Sequence, residues 1–250
     1  EFAEPSVISY NAAISACEKG ERWMQALHLT VEAFHAVLPL DSISYSAAAS
    51  ACGRGQRWEQ ATCLLPIMQR CHLEPSVISC NAVVSSCEKA AQWTRATALL
   101  LATSNMGMEL NIVTCSAAVS ACERGAMWQQ AASLLLGIHS ICLEPNAVSL
   151  NAAMSAYGKG VQWERALHFL QGMRYMGTGP DVISCNVAIS ACSSVVQWQA
   201  AVGLLSNLEP MALEPSAVTY NAAVGACDNA GEVDCGLLLL QESQERGVAL

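Results

Sequence analysis

Apolar and polar positions recur along the chain with helical spacing, and the pattern restarts every 35 residues. In the first stretch Val7, Tyr10, Ile14 and Cys17 stand at i, i+3, i+7 and i+10, one face of a helix. Ser6 can cap that helix, Pro5 just outside cannot extend it backwards, and Gly20 stops it. The spacing therefore predicts a helix over 7–19. A second helix, from about Glu21 to Ala36, is expected to turn Trp23, Ala26, Leu27 and Val31 inward. The small Ala12, Ala13 and Ala16 allow neighbouring helices to approach closely. Later first helices are expected to begin near Ser42, Val77, Ile112, Ala147, Val182 and Ala217, and second helices near Gln56, Ala91, Ala126, Val161, Val196 and Gly231. A helix-interior proline costs about 3 kcal/mol. Pro66 is thus expected to kink or end its helix, whereas Pro210, near a helix end, is expected to disturb less.

The register holds without insertion. Trp23, Trp58, Trp93, Trp128, Trp163 and Trp198 share one column. Such a period marks a solenoid, in which each unit buries its apolar face on its neighbours. The fold class read from the pattern is an all-α solenoid of helix-turn-helix units. The chain divides into one array of units at 7–41, 42–76, 77–111, 112–146, 147–181, 182–216 and 217–250. The last departs most, with Val233 in the Trp column and Asn229 in place of a basic residue. The chain opens inside the tail of one unit and stops a residue short of completing another, so a segment of a longer protein is expected.

Composition changes this picture little. Charged residues make up 13% of the chain, about half the usual share. The formal net charge of −9 has the wrong sign overall for phosphate binding, so the placement of the cations matters more than their sum. The 13 cysteines mostly follow the period: Cys17, Cys52, Cys87, Cys122, Cys192 and Cys227 form one column, and Cys80, Cys115 and Cys185 another. Their C-x6-C spacing is not that of a zinc site, and buried free thiols, with no metal, are expected. The longest uncharged run, Val182 to Leu208, is interrupted by Ser, Asn and Gln, so no membrane span is expected.

A second stripe runs along each first helix. Ile8, Asn11, Ser15 and Lys19 lie within about 80° of one another at ~100° per residue. Its aliphatic column is Ile8, Ile43, Ile78, Val113, Val148, Ile183 and Val218. Either this column is buried between units, or something packs on it. The polar column is Asn11, Ser46, Asn81, Ser116, Asn151, Asn186 and Asn221; the cation column is Lys19, Arg54, Lys89, Arg124 and Lys159. The cations suit phosphates or the carbonyl ends of their own helices. A closing column precedes each first helix: Ser6, Asp41, Ser76, Asn111, Asn146, Asp181 and Ser216, all capping types. Glu4, Glu74, Glu109, Glu144 and Glu214 add an acidic column in the turn. The Trp column, on the second helix, is expected to be packing rather than a base-stacking platform.

Phrases such as VISYNAAISACEKGERWMQAL closed by EPS or GPD resemble the pentatricopeptide repeat, over essentially all of Glu4 to Leu250. The resemblance rests on the unbroken period, the Tyr-Asn of the first helix, the basic residue near its end, the Ala of the second helix and the Pro-polar close. The recurring Trp and the acidity depart from the family. The resemblance implies a right-handed superhelix that binds single-stranded RNA, one base per repeat. Bases would be held between aliphatic residues of adjacent units, and cations would meet phosphates. The reading pairs it implies are Asn11 with Asp41 and Asn151 with Asp181 for uracil, Asn81 with Asn111 for a pyrimidine, Ser116 with Asn146 for adenine, Asn186 with Ser216 for cytosine, and Ser46 with Ser76 for a purine. Asn221 has its partner beyond the chain. The implied target is 5′-U-(purine)-Y-A-U-C-3′.

No nucleophile motif, metal motif or phosphate-binding Gly loop is present, so neither catalysis nor a cofactor or small-molecule substrate is expected. The resemblance implies an organellar role, in the mitochondrion or chloroplast, in RNA processing, stability or translation, with other RNA-processing proteins as further partners. The rival reading is a protein-binding helical scaffold, which the net charge favours.

Overall fold

The computed structural model describes residues 6–36, 38, 40–141, 143–173 and 179–248. Glu4 and Pro5 lie outside them. The described residues form fourteen α-helices and one 3-10 turn, with no strand among them. The first helices are α1 (Val7–Lys19), α3 (Ser42–Arg54), α5 (Val77–Lys89), α7 (Ile112–Arg124), α9 (Ala147–Lys159), α11 (Val182–Ser194) and α13 (Ala217–Ala230). The second helices are α2 (Trp23–His35), α4 (Trp58–Arg70), α6 (Trp93–Asn105), α8 (Trp128–Ser140), α10 (Trp163–Met173), α12 (Trp198–Ser206) and α14 (Val233–Glu245).

The first helices start where the capping column predicts. Each closing residue accepts the N–H three residues on, at 2.7 to 3.4 Å, and so satisfies one orphan donor of the helix end. The second helices start two residues later than expected. Gly20 is not the left-handed residue of its turn (φ −86°); Glu21 is, at φ 57°. The same site is left-handed at Gln56, Ala91, Ala126, Val161 and Val196, and only the last repeat places a glycine there, Gly231. Two turn residues are therefore spent before the Trp column opens the next helix.

A β-branched side chain is strained at positive φ, so the valines at φ 60° and 61° hold local strain. Val161→Gly is expected to raise stability by about 0.5–1 kcal/mol, the relief of strain exceeding the entropy glycine adds to the unfolded chain. Urea denaturation checks this: the midpoint rises, and an unchanged or lower midpoint refutes it.

The two prolines behave opposite to expectation. The helix α4 runs through Pro66 to its full length, whereas α12 stops at Ser206 and Pro210 sits in a 3-10 turn, Glu209–Met211. Past Pro66, Met68 is buried in the core and anchors the following turn. Pro66 itself is exposed, so the carbonyl that loses its donor can face water. Past Pro210 the chain leaves at once through Ala212 (φ 57°), with no downstream turn to hold an α-helix.

Contacts divide the helices into two compact units, one holding α1 to α7 and the other most of α8 with α9 to α14. In the first, α1, α3, α5 and α7 pack in succession, and α2, α4 and α6 each lie against their own first helix and the next. In the second, α9, α11 and α13 do the same with α10, α12 and α14. Each unit is an all-α helical-repeat solenoid. The cores are small and tight: Ala48, Ala51, Val83 and Val84 in one, Ala153, Met154, Ala188 and Ile189 in the other, are fully enclosed. A side chain added at Gly53 would come within 3.2 Å of Ser86, and one at Gly158 within 3.1 Å of Ala191, so first helices touch almost backbone to backbone.

On the second helices the buried stripe is Ala26, Thr30 and Ala33, while Val31 is half exposed. Val31 falls about 100° from Thr30 on the helix, which turns it outward. The Trp column lines the seam between repeats rather than the core. A side chain at Gly55, Gly125 or Gly160 would strike the ring of Trp23, Trp93 or Trp128 respectively, and the guanidinium of Arg57 lies 4.9 Å over Trp23. The described cysteines are free thiols; burial pushes Cys52, Cys87, Cys122 and Cys192 up to about 11, so they stay protonated and act as packing. No described helix is long and apolar enough to cross a membrane.

Candidate nucleic-acid interface

The aliphatic column settles the question its sequence left open. Ile8, Ile43, Ile78, Val113, Val148, Ile183 and Val218 are 59–79% exposed. A file of bare Val and Ile in each unit is not explained by packing inside that unit, and exposed apolar surface of this kind is a candidate contact surface. In the second unit this file borders a cavity of about 590 Å³ lined by Ile183, Val218, Asn186, Lys159, Ser155 and Ser190. Two aliphatic side chains, an amide and a cation thus share one hollow on the first-helix face.

The polar column divides by residue type. Asn11, Asn81, Asn151 and Asn186 are half-buried and Asn221 is exposed. Ser46 and Ser116 are 5% exposed, and their hydroxyls donate to the carbonyls of Ser42 and Ile112 in their own helices, at 2.7 Å each. A serine at this place folds back onto its own helix, whereas an asparagine stays partly or fully exposed.

Capping decides what each closing residue has left. Asp41 caps with Oδ1, so Oδ2 is available and accepts from Asn11 Nδ2 at 3.2 Å. Asp181 repeats this, with Asn151 Nδ2 3.5 Å from its Oδ2. Burial pulls the Asp181 carboxyl upward, but the hydroxyl and N–H of Ser184, the Asn151 amide and its own N–H outweigh it and hold it below its ordinary value. Asp181 remains an acceptor at neutral pH. Asn111 caps through its carbonyl oxygen, which leaves its NH2 as a donor. Ser76 and Ser216 cap through their hydroxyl oxygens. Ser116 and Asn146 fall in different compact units.

The cation column is partly neutralised. Arg54 Nη2 lies 3.9 Å from Glu18 Oε1, and Arg124 Nη2 lies 3.7 Å from Glu88 Oε1, each pairing with the preceding repeat. Lys19, Lys89 and Lys159 are exposed. The arginines are exposed and the glutamates half-buried, at distances of loose rather than close pairing. The acidic column at Glu74, Glu109, Glu144 and Glu214 is exposed as well.

Two features of the site escaped the sequence reading. One is the acid beside each arginine. The other is a buried hydroxyl column, Ser44, Ser79, Thr114, Ser149, Ser184 and Thr219, three residues after each closing residue. Its signal was in view: every repeat has Ser or Thr there, Ser9 included. Ser44 Oγ donates to Asn11 Oδ1 at 2.6 Å, and Thr114 Oγ1 donates to Asn81 Oδ1.

Helix pairs at a fixed step, with a bare aliphatic file and an amide file on one face, define a helical-hairpin repeat protein. A family model described as pentatricopeptide repeat domain matches residues 168–230, and one described as PPR repeat matches 148–178. Among solved structures, the chain is similar to the pentatricopeptide repeat protein PPR10 from maize, with a TM-score of 0.67 and 22% identity, over 96% of this chain and 40% of that one. PPR10 in complex with an 18-nt psaJ RNA element aligns at a TM-score of 0.58 and 18% identity, over 99% of this chain and 41% of that one. The PPR domain of Arabidopsis thaliana protein-only RNase P 1, in complex with tRNA, aligns at 0.57 and 13% identity, over 67% of this chain and 88% of that domain. The chain thus spans about 40% of the length of the maize protein. No curated protein matches the sequence. Residues 148–230 thus match pentatricopeptide repeats, and the chain shares the helical-repeat fold of solved pentatricopeptide repeat proteins.

Proposed function

We propose that the chain binds single-stranded RNA along its first-helix face, one nucleotide per repeat, and guides the processing, stability or translation of an organellar transcript in a mitochondrion or chloroplast. The observation that carries this is the exposed aliphatic file with an amide or hydroxyl beside each member. Solved relatives of the same fold hold RNA, which supports the reading. Each base would lie between the aliphatic residues of successive repeats, as between Ile183 and Val218. The reading pairs within each unit would be Asn11 with Asp41, Ser46 with Ser76, Asn81 with Asn111, Asn151 with Asp181, and Asn186 with Ser216. Lys19, Arg54, Lys89, Arg124 and Lys159 would meet phosphates. The chain itself performs no chemistry in this account.

The alternative, a protein-binding scaffold, draws support from an apolar groove of about 590 Å³ between α2 and α4, lined by Leu27, Val31, Phe34, Cys63, Leu64 and Ile67. Binding of 5′-U-(purine)-Y-A-U-C-3′ and of a scrambled RNA, each at two salt concentrations, separates the two. The RNA reading expects the ordered sequence to bind at least tenfold tighter, about 1.4 kcal/mol, with both affinities falling as salt rises. Equal or absent binding favours the scaffold.

A further inference from the structure

One column of the first-helix stripe has a role neither in base reading nor in phosphate contact. Ser15, Ser50, Ser85, Ser120, Ser155 and Ser190 follow the amide column by four residues, and Gly225 alone breaks the file. A serine inside a helix often turns its hydroxyl back onto a carbonyl three or four residues earlier. Ser86 and Ser194 do so toward Val83 and Ala191, at 2.7 Å each. Ser15, Ser50, Ser85, Ser120 and Ser190 do not: their hydroxyls form no hydrogen bond with another described residue. Ser190 is exposed and the other four are half-buried. Serine is a poorer helix former than alanine, and alanine would let helices approach as closely. Nothing within the fold accounts for the hydroxyl.

The hollow in the second unit shows where this hydroxyl stands. Ser155 and Ser190 line it together with Asn186, Lys159, Ile183 and Val218. On α11, Ser190 lies about 6 Å along the axis beyond Asn186 and on the same face. On α9, Lys159 lies about 6 Å beyond Ser155 in the same sense. The hydroxyl therefore stands between the amide assigned to the base and the cation assigned to the phosphate, as the ribose joins base to phosphate in a nucleotide. Asn186 Oδ1, from a residue lining the same hollow, is enclosed with no hydrogen-bond partner among the described residues. An enclosed acceptor is costly unless a ligand brings it a donor.

We propose that this serine column contacts the ribose 2′-hydroxyl of each bound nucleotide and so makes the chain select RNA over DNA, with Ser190 serving nucleotide six. The inference rests on the RNA reading above and adds a sugar-reading residue to it. The amide column alternates between Asn and Ser, and the closing column among Ser, Asp and Asn, whereas this column stays serine through six repeats. That constancy matches the sugar, which is the same at every nucleotide while the base changes. A hydroxyl both donates and accepts, and so does the 2′-hydroxyl, so the contact works beside any base.

The test is a cycle of four dissociation constants. Wild type and Ser190→Ala are each titrated with the ordered RNA and with the same strand carrying 2′-deoxycytidine at nucleotide six. The deoxy sugar is expected to weaken binding to wild type about fivefold, the worth of one hydrogen bond. Ser190→Ala is expected to bind the all-ribose strand about fivefold more weakly and to ignore the deoxy change. Ser190 is exposed, so alanine there leaves the fold intact, which thermal denaturation checks. Ser85→Ala with a 2′-deoxy pyrimidine at nucleotide three is expected to repeat the result in the first unit. Deoxy penalties absent from wild type at both nucleotides, or unchanged in both variants, overturn the sugar contact. The RNA reading then still stands if the ordered sequence outbinds the scrambled one. A wild type that binds ordered and scrambled RNA alike overturns both.

Discussion

Ile183→Ala is expected to weaken binding of the ordered RNA about tenfold and to leave stability within about 0.5 kcal/mol, whereas Ile189→Ala destabilises the chain by about 2–5 kcal/mol. Both residues lie on α11, two turns apart at most, and both lose the same atoms. Ile183 is 60% exposed at the mouth of the cavity, and Ile189 is 0% exposed between first helices. Truncating Ile183 removes surface that only a bound base would cover, and about 1.4 kcal/mol of apolar contact goes with it. Truncating Ile189 opens a void where the helix backbones nearly touch, so little relaxation is available. In an array whose stability is a sum of unit and interface terms, the damage falls on the neighbouring repeats as well. Thermal denaturation and RNA titration on both variants check the pair. Equal RNA loss in the two, at matched folded fraction, would sink the assignment of the aliphatic file to base contact.

Asn151→Ser with Asp181→Asn is expected to turn the preference at nucleotide five from uracil to adenine, with the U-to-A ratio of dissociation constants inverting by about a hundredfold overall. The structure supplies a physical reason. Ser46 and Ser116 show that serine in this column folds back onto the carbonyl four residues earlier. The Asn151→Ser side chain would do the same toward Ala147 and vacate room for a purine. Asn at the closing place caps as well as Asp, so the helix start is retained while the exposed group changes from acceptor to donor. Titration with RNAs differing only at nucleotide five reads the outcome. Unchanged preference in a folded double variant removes the one-repeat-one-base code.

Much of the fold was legible because the residues that start the first helices recur in kind. A capping side chain must stand in one place relative to the first free N–H, so Ser6, Asp41 and their equivalents locate each helix start to the residue. The second helices were misplaced because the left-handed turn residue is Glu21, Gln56 or Val161, and non-glycine residues give no compositional sign of positive φ. The prolines were misread because the cost of each depends on its surroundings: a buried Met68 follows Pro66 within the helix, whereas the buried Leu208 precedes Pro210, whose 3-10 turn is closed by the N–H groups of Met211 and Leu213 on the Leu208 carbonyl. At the site, the exposed file was legible as a column but not as a surface, since burial of Val and Ile depends on how closely neighbouring helices approach. The withdrawal of Ser46 and Ser116 depends on side-chain rotation, which residue type leaves open.

The pairing of Arg54 with Glu18 and of Arg124 with Glu88 has a consequence for how ions move on RNA binding. A phosphate arriving at either arginine would evict a carboxylate of the protein itself, and that carboxylate would then gather a potassium or sodium ion. The cation shed by the RNA is thus recaptured a few ångströms away, and the net release at these two steps approaches zero. Lys19 and Lys89, which lack such tethered anions among the described residues, carry the ion release instead, so the logarithmic dependence of affinity on electrolyte should be shallower than the number of basic side chains on that face suggests.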